Sequence, residues 1–208
     1  MRMWREKTAD GTSPSILINS IDLTKLLGLI AAQALPELTA YLSAEMERLA
    51  RAGAGAGLIA ANTPHIVFDE IQRLSPIPLI SIVEAVREAA EELGFQKLGL
   101  LGNKFTMRAL FYSEVFSKAR ISLVVPNYNE QEQIHSIYMN ELVKGIFLPE
   151  SKERLLAIAD RLAADEGVQG VILAGTELPL LLRDANCAIP FLDTSQIHVK
   201  AAMSWLLS

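Results

Sequence analysis

Gly57-Leu58-Ile59-Ala60-Ala61-Asn62-Thr63-Pro64-His65 is a short apolar run that breaks abruptly into polar, turn-forming residues. A buried parallel strand has this form where it ends at a ligand-binding edge. A second stretch repeats the pattern late in the chain: Gly170-Val171-Ile172-Leu173-Ala174-Gly175-Thr176-Glu177-Leu178-Pro179. Two matching strand ends predict two similar halves facing one cleft, with the chemistry between them.

Outward from these stretches, strands and helices alternate. Ser15–Ser20, Leu58–Ala61, Pro78–Ser81, Lys97–Gly102, Ile121–Val125, Val171–Ala174 and Pro190–Asp193 read as strands. Helical spacing marks the segment after Pro36, then Ile66–Leu74, Val83–Leu93, Phe105–Lys118, Glu130–Lys144, a helix capped by Ser151 and running to Asp165, a turn over Leu178–Asp184, and Ser195–Leu207. Asp22 is placed as a helix N-cap, and residues 1–13 read as a loose lead-in. Such alternation predicts an α/β fold with parallel sheets, as two pseudo-symmetric Rossmann-like domains. Residues 1–93 would form the first, with the C-terminal helix 195–208 joined to it, and residues 94–194 the second.

Composition narrows the function. The 208 residues are 50% hydrophobic and 21% charged, an ordinary globular balance. Mean hydropathy is +0.26, yet no apolar run approaches the roughly 18–20 residues of a spanning helix. Met1–Lys7 is charged, with no apolar core after it, so it does not read as a secretory signal. A net charge of −5 without a basic stripe argues against nucleic acid as a partner. The single cysteine, Cys187, fits a reducing cytoplasm.

Asn62 and Thr63 offer an amide, a hydroxyl and backbone N–H groups at a helix start, suited to a carboxylate or phosphate. Thr176 stands in the matching place beside Gly175. Asn, Thr and Gly are also ordinary turn and cap residues. His65 is a candidate acid or base, although a local hydrogen bond is the commoner use of such a histidine. His135 and His198 read as structural, Cys187 as a small buried thiol, and Lys144 as a solvated lysine at a helix end. No cluster has metal-ligand spacing, and Leu101-Gly102-Asn103-Lys104 lacks the spacing of a phosphate-binding P-loop.

Taken in order, several segments give the chain a resemblance to the aspartate/glutamate racemase superfamily, aspartate racemase branch. They are Ala61-Asn62-Thr63-Pro64-His65, Gly99-Leu100-Leu101-Gly102 with Phe105-Thr106-Met107, Asn140-Glu141-Leu142-Val143-Lys144-Gly145, Thr176-Glu177-Leu178-Pro179, and Asp193-Thr194-Ser195-Gln196-Ile197-His198. The resemblance implies two Rossmann-like domains with the active site between them. It also implies cofactor-independent amino-acid racemisation, in which two cysteines exchange protons on opposite faces of the α-carbon. Asn62, Thr63, Lys144, Thr176 and Glu177 would then bind substrate, a small acidic amino acid or dicarboxylate.

The departures are as telling. Ala61 and Gly175 occupy the positions of the two family cysteines, and neither side chain can carry a proton. The family's first strand and glycine-rich loop are not found, which would expose a sheet edge and favour a homodimer. The expectation is a carboxylate-binding pseudoenzyme. The alternative is an isomerase or lyase using His65, Lys144 or Glu177. Two more distant readings are an Ala61 introduced in place of cysteine, and a non-enzymatic interaction module.

Overall fold

The computed structural model describes residues 2–8, 12–182 and 187–208. The chain divides into two compact units. The smaller comprises residues up to Ile59, Val67–Ser81 and His198–Ser208; the larger comprises Ala60–Ile66 and Ile82–Ile197.

In the smaller unit, helices α1 (Arg2–Thr8), α2 (Leu23–Ala31) and α3 (Leu35–Arg51) precede strand β1 (Gly57–Leu58). Helix α4 (Phe68–Leu74) and strand β2 (Leu79–Ile80) follow, with β1 and β2 paired in parallel. Asp22 caps α2, its carboxylate accepting from Thr24 N at 2.8 Å and Lys25 N at 3.1 Å. Helix α3 buries Leu38, Leu42 and Met46, one apolar residue per turn along a single stripe. Glu45 is also buried, and Asn19 Nδ2 at 2.7 Å and Arg48 at 2.6 Å satisfy its carboxylate.

The expectations for the first twenty residues need correction. Arg2–Thr8 is helical rather than a loose lead-in, while Ala9–Gly11 lie outside the described residues. Ser15–Ser20 forms no strand, and Ile16 and Ile18 are 65% and 89% exposed. The local pattern is strand-like, but a strand needs a neighbour to complete its hydrogen bonds, and among the described residues none pairs with this segment.

The larger unit begins its regular structure with α5 (Ile82–Glu92) and β3 (Lys97–Gly102). Then come α6 (Lys104–Arg108), α7 (Phe111–Lys118), β4 (Ser122–Val124), α8 (Tyr128–Asn140), α9 (Pro149–Glu166), β5 (Val171–Ala174), α10 (Leu178–Leu182), β6 (Phe191–Asp193) and α11 (Thr194–Leu206), whose last two-thirds belong to the smaller unit. Four parallel strands lie in the order β4-β3-β5-β6. The middle strands β3 and β5 are apolar on both faces, as a sheet covered by helices on each side requires. Leu98, Leu100, Ile172 and Ala174 pack with Val83, Val86, Tyr112 and Phe116. Leu101, Val171 and Leu173 pack on the opposite face with Ile134, Leu155, Ile158 and Leu162. Each such buried aliphatic side chain contributes roughly 1.5–3 kcal/mol. This fixes the register, since a slip by one residue would exchange the two faces.

The predicted helix 105–118 is two helices, broken at Ala109, whose ψ of 157° is extended. Met107 belongs to one core and Phe111, Tyr112 and Phe116 to the other, so one straight helix could not serve both. The predicted helix 130–144 ends at Asn140 and continues as a 3-10 turn over Leu142–Lys144. Ser151 does not cap α9. Leu148 holds the N-cap position and Pro149 opens the helix, where its missing N–H costs nothing. The Ser151 hydroxyl instead donates to Glu141. The turn predicted to run to Asp184 is helical over Leu178–Leu182, and Arg183–Asn186 lie outside the described residues. Among the described residues, no helix is long and apolar enough to cross a membrane.

Candidate functional site at a sheet edge

The order β4-β3-β5-β6 contains a topological switch. From β3 the chain crosses to β4 on one side, then returns to β5 on the other. Connections diverge at such a point and leave a crevice at the carboxyl edge, the usual ligand position in open parallel sheets. Gly102 pairs with Ala174 there, so Asn103 and Gly175 leave adjacent strands side by side. Gly102 itself must be glycine, because a Cβ would stand 2.9 Å from the Ala174 carbonyl oxygen.

The segment 60–66 belongs to this edge. Asn62, 3% exposed, accepts from the Tyr112 hydroxyl at 2.6 Å through Oδ1. Its Nδ2 donates to Thr194 Oγ1 at 3.1 Å, and Thr194 donates on to the Leu173 carbonyl at 2.9 Å. Thr63 Oγ1 accepts from Asn103 Nδ2 at 2.8 Å and shares a 3.0 Å hydrogen bond with Thr106 Oγ1. Asn103 also caps α6 by accepting from Thr106 N. Asn62 and Thr63 are thereby tied to residues following β3 and β6. Burial holds the Tyr112 phenol well above its ordinary pKa, so it is a permanent donor.

His65 completes the anchoring. Its Nδ1 donates to the Ala61 carbonyl at 2.9 Å, and its Nε2 accepts from Ile82 N at 3.2 Å. That pattern describes a neutral imidazole with both nitrogens engaged, holding residues 61–65 in their turn. Thr63–Val67 forms a 3-10 turn.

The second strand end is built differently. Gly175 is buried beneath the ring of Tyr138 from α8. A Cβ at residue 175 would lie 2.8 Å from the phenol oxygen and 2.9 Å from Cζ, closer than real contacts allow. The Tyr138 hydroxyl donates to Glu177 Oε2, and Thr176 Oγ1 donates to the same oxygen at 2.7 Å. Burial first, and then the Glu177 charge, hold the Tyr138 phenol far above its usual pKa. Thr176 and Glu177 are half-buried and sit at the solvent side of the cluster.

The structure thus brings Ala61, Asn62, Thr63 and His65 to the same sheet edge as Gly175, Thr176 and Glu177. Lys144 stands exposed on the 3-10 turn after α8, outside this hydrogen-bonded group. Tyr112, Tyr138, Asn103 and Thr194 were not anticipated as site residues. Asn103 carried a signal, a capping residue directly after a strand. The tyrosines carried none, because helical spacing marks them only as core. Cys187 is half-buried, donates to Asp160 Oδ1 at 3.5 Å, and has its pKa raised by burial. His198 is buried, donates from Nε2 to the Ile80 carbonyl at 2.8 Å, and burial lowers its pKa. Among the described residues, no three or more His, Cys, Asp or Glu side chains gather as metal ligands.

Comparison with known proteins agrees with the α/β fold. The Asp/Glu/hydantoin racemase family matches residues 2–202. The broad specificity amino-acid racemase RacX of Bacillus subtilis is 25% identical over 169 residues, covering 77% of this chain and 69% of RacX. PH1733, an aspartate racemase homologue from Pyrococcus horikoshii, superimposes with a TM-score of 0.85 at 32% identity, covering all of this chain and 90% of the other. A candidate Asp/Glu racemase from Yersinia pestis gives a TM-score of 0.89 at 30% identity, over 98% of this chain and 89% of the other. The fold extends further, to the Francisella tularensis glutamate racemase solved with D-glutamate, with a TM-score of 0.66 at 16% identity over 83% of this chain and 64% of that one. With the family match spanning nearly the whole chain, this protein belongs to the Asp/Glu/hydantoin racemase family.

Proposed function

We propose that this protein binds a small acidic amino acid or dicarboxylate at the carboxyl edge of its four-stranded sheet and does not racemise it by paired thiols. The observation that carries this reading is the pair of residues Ala61 and Gly175. Both stand where the family resemblance implies cysteines, and neither has a group that can move a proton. The Tyr138 ring over Gly175 supports it, since the space for a second thiol is filled. Tyr138 and Glu177 are a poor replacement pair. A buried phenol beside a carboxylate resists losing its proton, and the carboxylate oxygen that faces it is already occupied by two hydroxyl hydrogens. In this reading the residue 62–64 turn and the Thr176 hydroxyl receive the ligand carboxylate. Glu177 faces its ammonium group, and Lys144 a second carboxylate.

The protein would act in the cytoplasm, without a cofactor and as a homodimer. The lone cysteine and the exposed Ile16–Ile18 segment favour those parts of the reading. The decisive experiment incubates the protein with L- and D-aspartate and L- and D-glutamate in D₂O. The expected outcome is a ligand-dependent rise in melting temperature with no α-proton exchange above background. Exchange well above background that survives in the protein as it stands would overturn the reading. Exchange lost in His65→Ala or Lys144→Ala would replace it with an isomerase of non-cysteine chemistry.

A further inference from the structure

The Tyr138 ring and the bare Cα of Gly175 occupy one place. Every atom that a side chain at 175 would meet first belongs to Tyr138: Cε2, the hydroxyl oxygen and Cζ. The ring is not loosely held. It is 8% exposed and packs in the core formed by Ile134, Ile137, Leu142 and Leu178. Its hydroxyl is fixed at the other end by Glu177, which Thr176 also holds. A ring anchored at both ends cannot swing aside without leaving a cavity and taking from Glu177 one of its two hydroxyl donors.

We propose that Tyr138 is the specificity-determining residue of this edge. It fills the depth of the switch-point crevice at Gly175, limits the ligand to a small one resting on Thr176 and Glu177, and makes glycine obligatory at 175. Gly175 and Tyr138 are then one coupled feature, so restoring a side chain at 175 alone cannot reopen the crevice. Truncating Tyr138 can. The identity of the ligand rests on the proposed function, but the coupling does not, and it is measured without ligand.

The test is a double-mutant cycle of Gly175→Ala and Tyr138→Ala in the full chain. Gly175→Ala alone is expected to lower the melting temperature by about 4 °C or more, the size that overpacking a tight contact brings in a chain of this length. In the Tyr138→Ala background, the same substitution is expected to shift it by no more than about 1 °C. A neutral Gly175→Ala with Tyr138 present, or an equal loss in both backgrounds, would overturn the proposal. If Tyr138→Ala does not fold, Tyr138→Leu takes its place, since it also removes the ring edge and the hydroxyl. A thiol readout is independent of stability. In a Cys187→Ser background, Gly175→Cys is expected to react with an aromatic disulfide reagent at least about 10-fold faster once Tyr138 is truncated. Equal rates with and without Tyr138 would show that the ring does not govern access to this point.

Discussion

Residues 61–63 and 175–177 leave their strands with the same local pattern, a small residue followed by polar ones. Their surroundings are opposite. Asn62 and Thr63 are buried, and their side chains are spent on Tyr112, Thr194, Asn103 and Thr106. Thr176 and Glu177 are half-buried, and they bond to each other and to one tyrosine. The first stretch is a fastening that ties residues 60–66 to the sheet edge. The second is a surface whose floor is an aromatic ring. Matching motifs in one chain therefore need not have matching jobs. What a polar strand end can do depends on which of its groups the fold has already used.

Removing the fastening should have the largest effect on stability. Asn62→Ala leaves the Tyr112 hydroxyl without an acceptor in a dry place and takes from the Thr194 oxygen its donor, and each such loss costs about 1–3 kcal/mol. A stability loss of about 3 kcal/mol is expected in denaturant titration. A loss near zero would mean that water replaces the amide and the segment is not buried as described. Tyr112→Phe removes one bond from the same network and should cost about 1–2 kcal/mol, with the aromatic packing against Phe111 and Phe116 retained.

At the other strand end the same chemical change should matter less. Tyr138→Phe deletes a hydroxyl facing a half-buried carboxylate that water can reach, so the expected cost is about 0.5–1 kcal/mol. If Tyr138→Phe proved as costly as Asn62→Ala, the distinction between fastening and surface would fail.

A smaller effect concerns pH. Burial lowers the His198 pKa, so the unfolded chain takes up the proton before the folded one does. The contribution of His198 to stability is therefore complete above its ordinary pKa of about 6.5 and declines as pH falls toward the lowered value. His198→Asn keeps a donor for the Ile80 carbonyl but cannot titrate. It should flatten the acid limb of stability between about pH 7 and 5. An unchanged limb would assign that slope to other groups, His135 among them, whose pKa is also lowered by burial and then by Lys104.

Much of the sheet was legible in the chain. Lys97–Gly102 and Val171–Ala174 appear as strands with the bounds expected of them, because both are continuous apolar runs between turn residues. The Asp22 cap was legible for a similar reason, since capping is settled within one turn. Ser15–Ser20 misled because its pattern is local and pairing is not. The helix at 105–118 misled because spacing does not say which face of a sheet a residue must reach. At the site, Asn62, Thr63 and Thr176 could be picked out by type and position. The side-chain hydrogen-bond partners of Asn62 and Thr63, each 40 or more residues away, could not.

The alternation of strand and helix, the polar strand ends, the family resemblance, and the absence of a thiol at residues 61 and 175 are all written in the order of the residues. These are matters of residue type and short spacing, which the chain carries in one dimension. Folding in three dimensions decided that Asn62 and Thr63 are fastened inward while Thr176 and Glu177 face outward. It also decided that Tyr138 fills the place left by Gly175. Those outcomes turn on which distant side chain arrives at a given point and how much room it leaves, and packing fixes both.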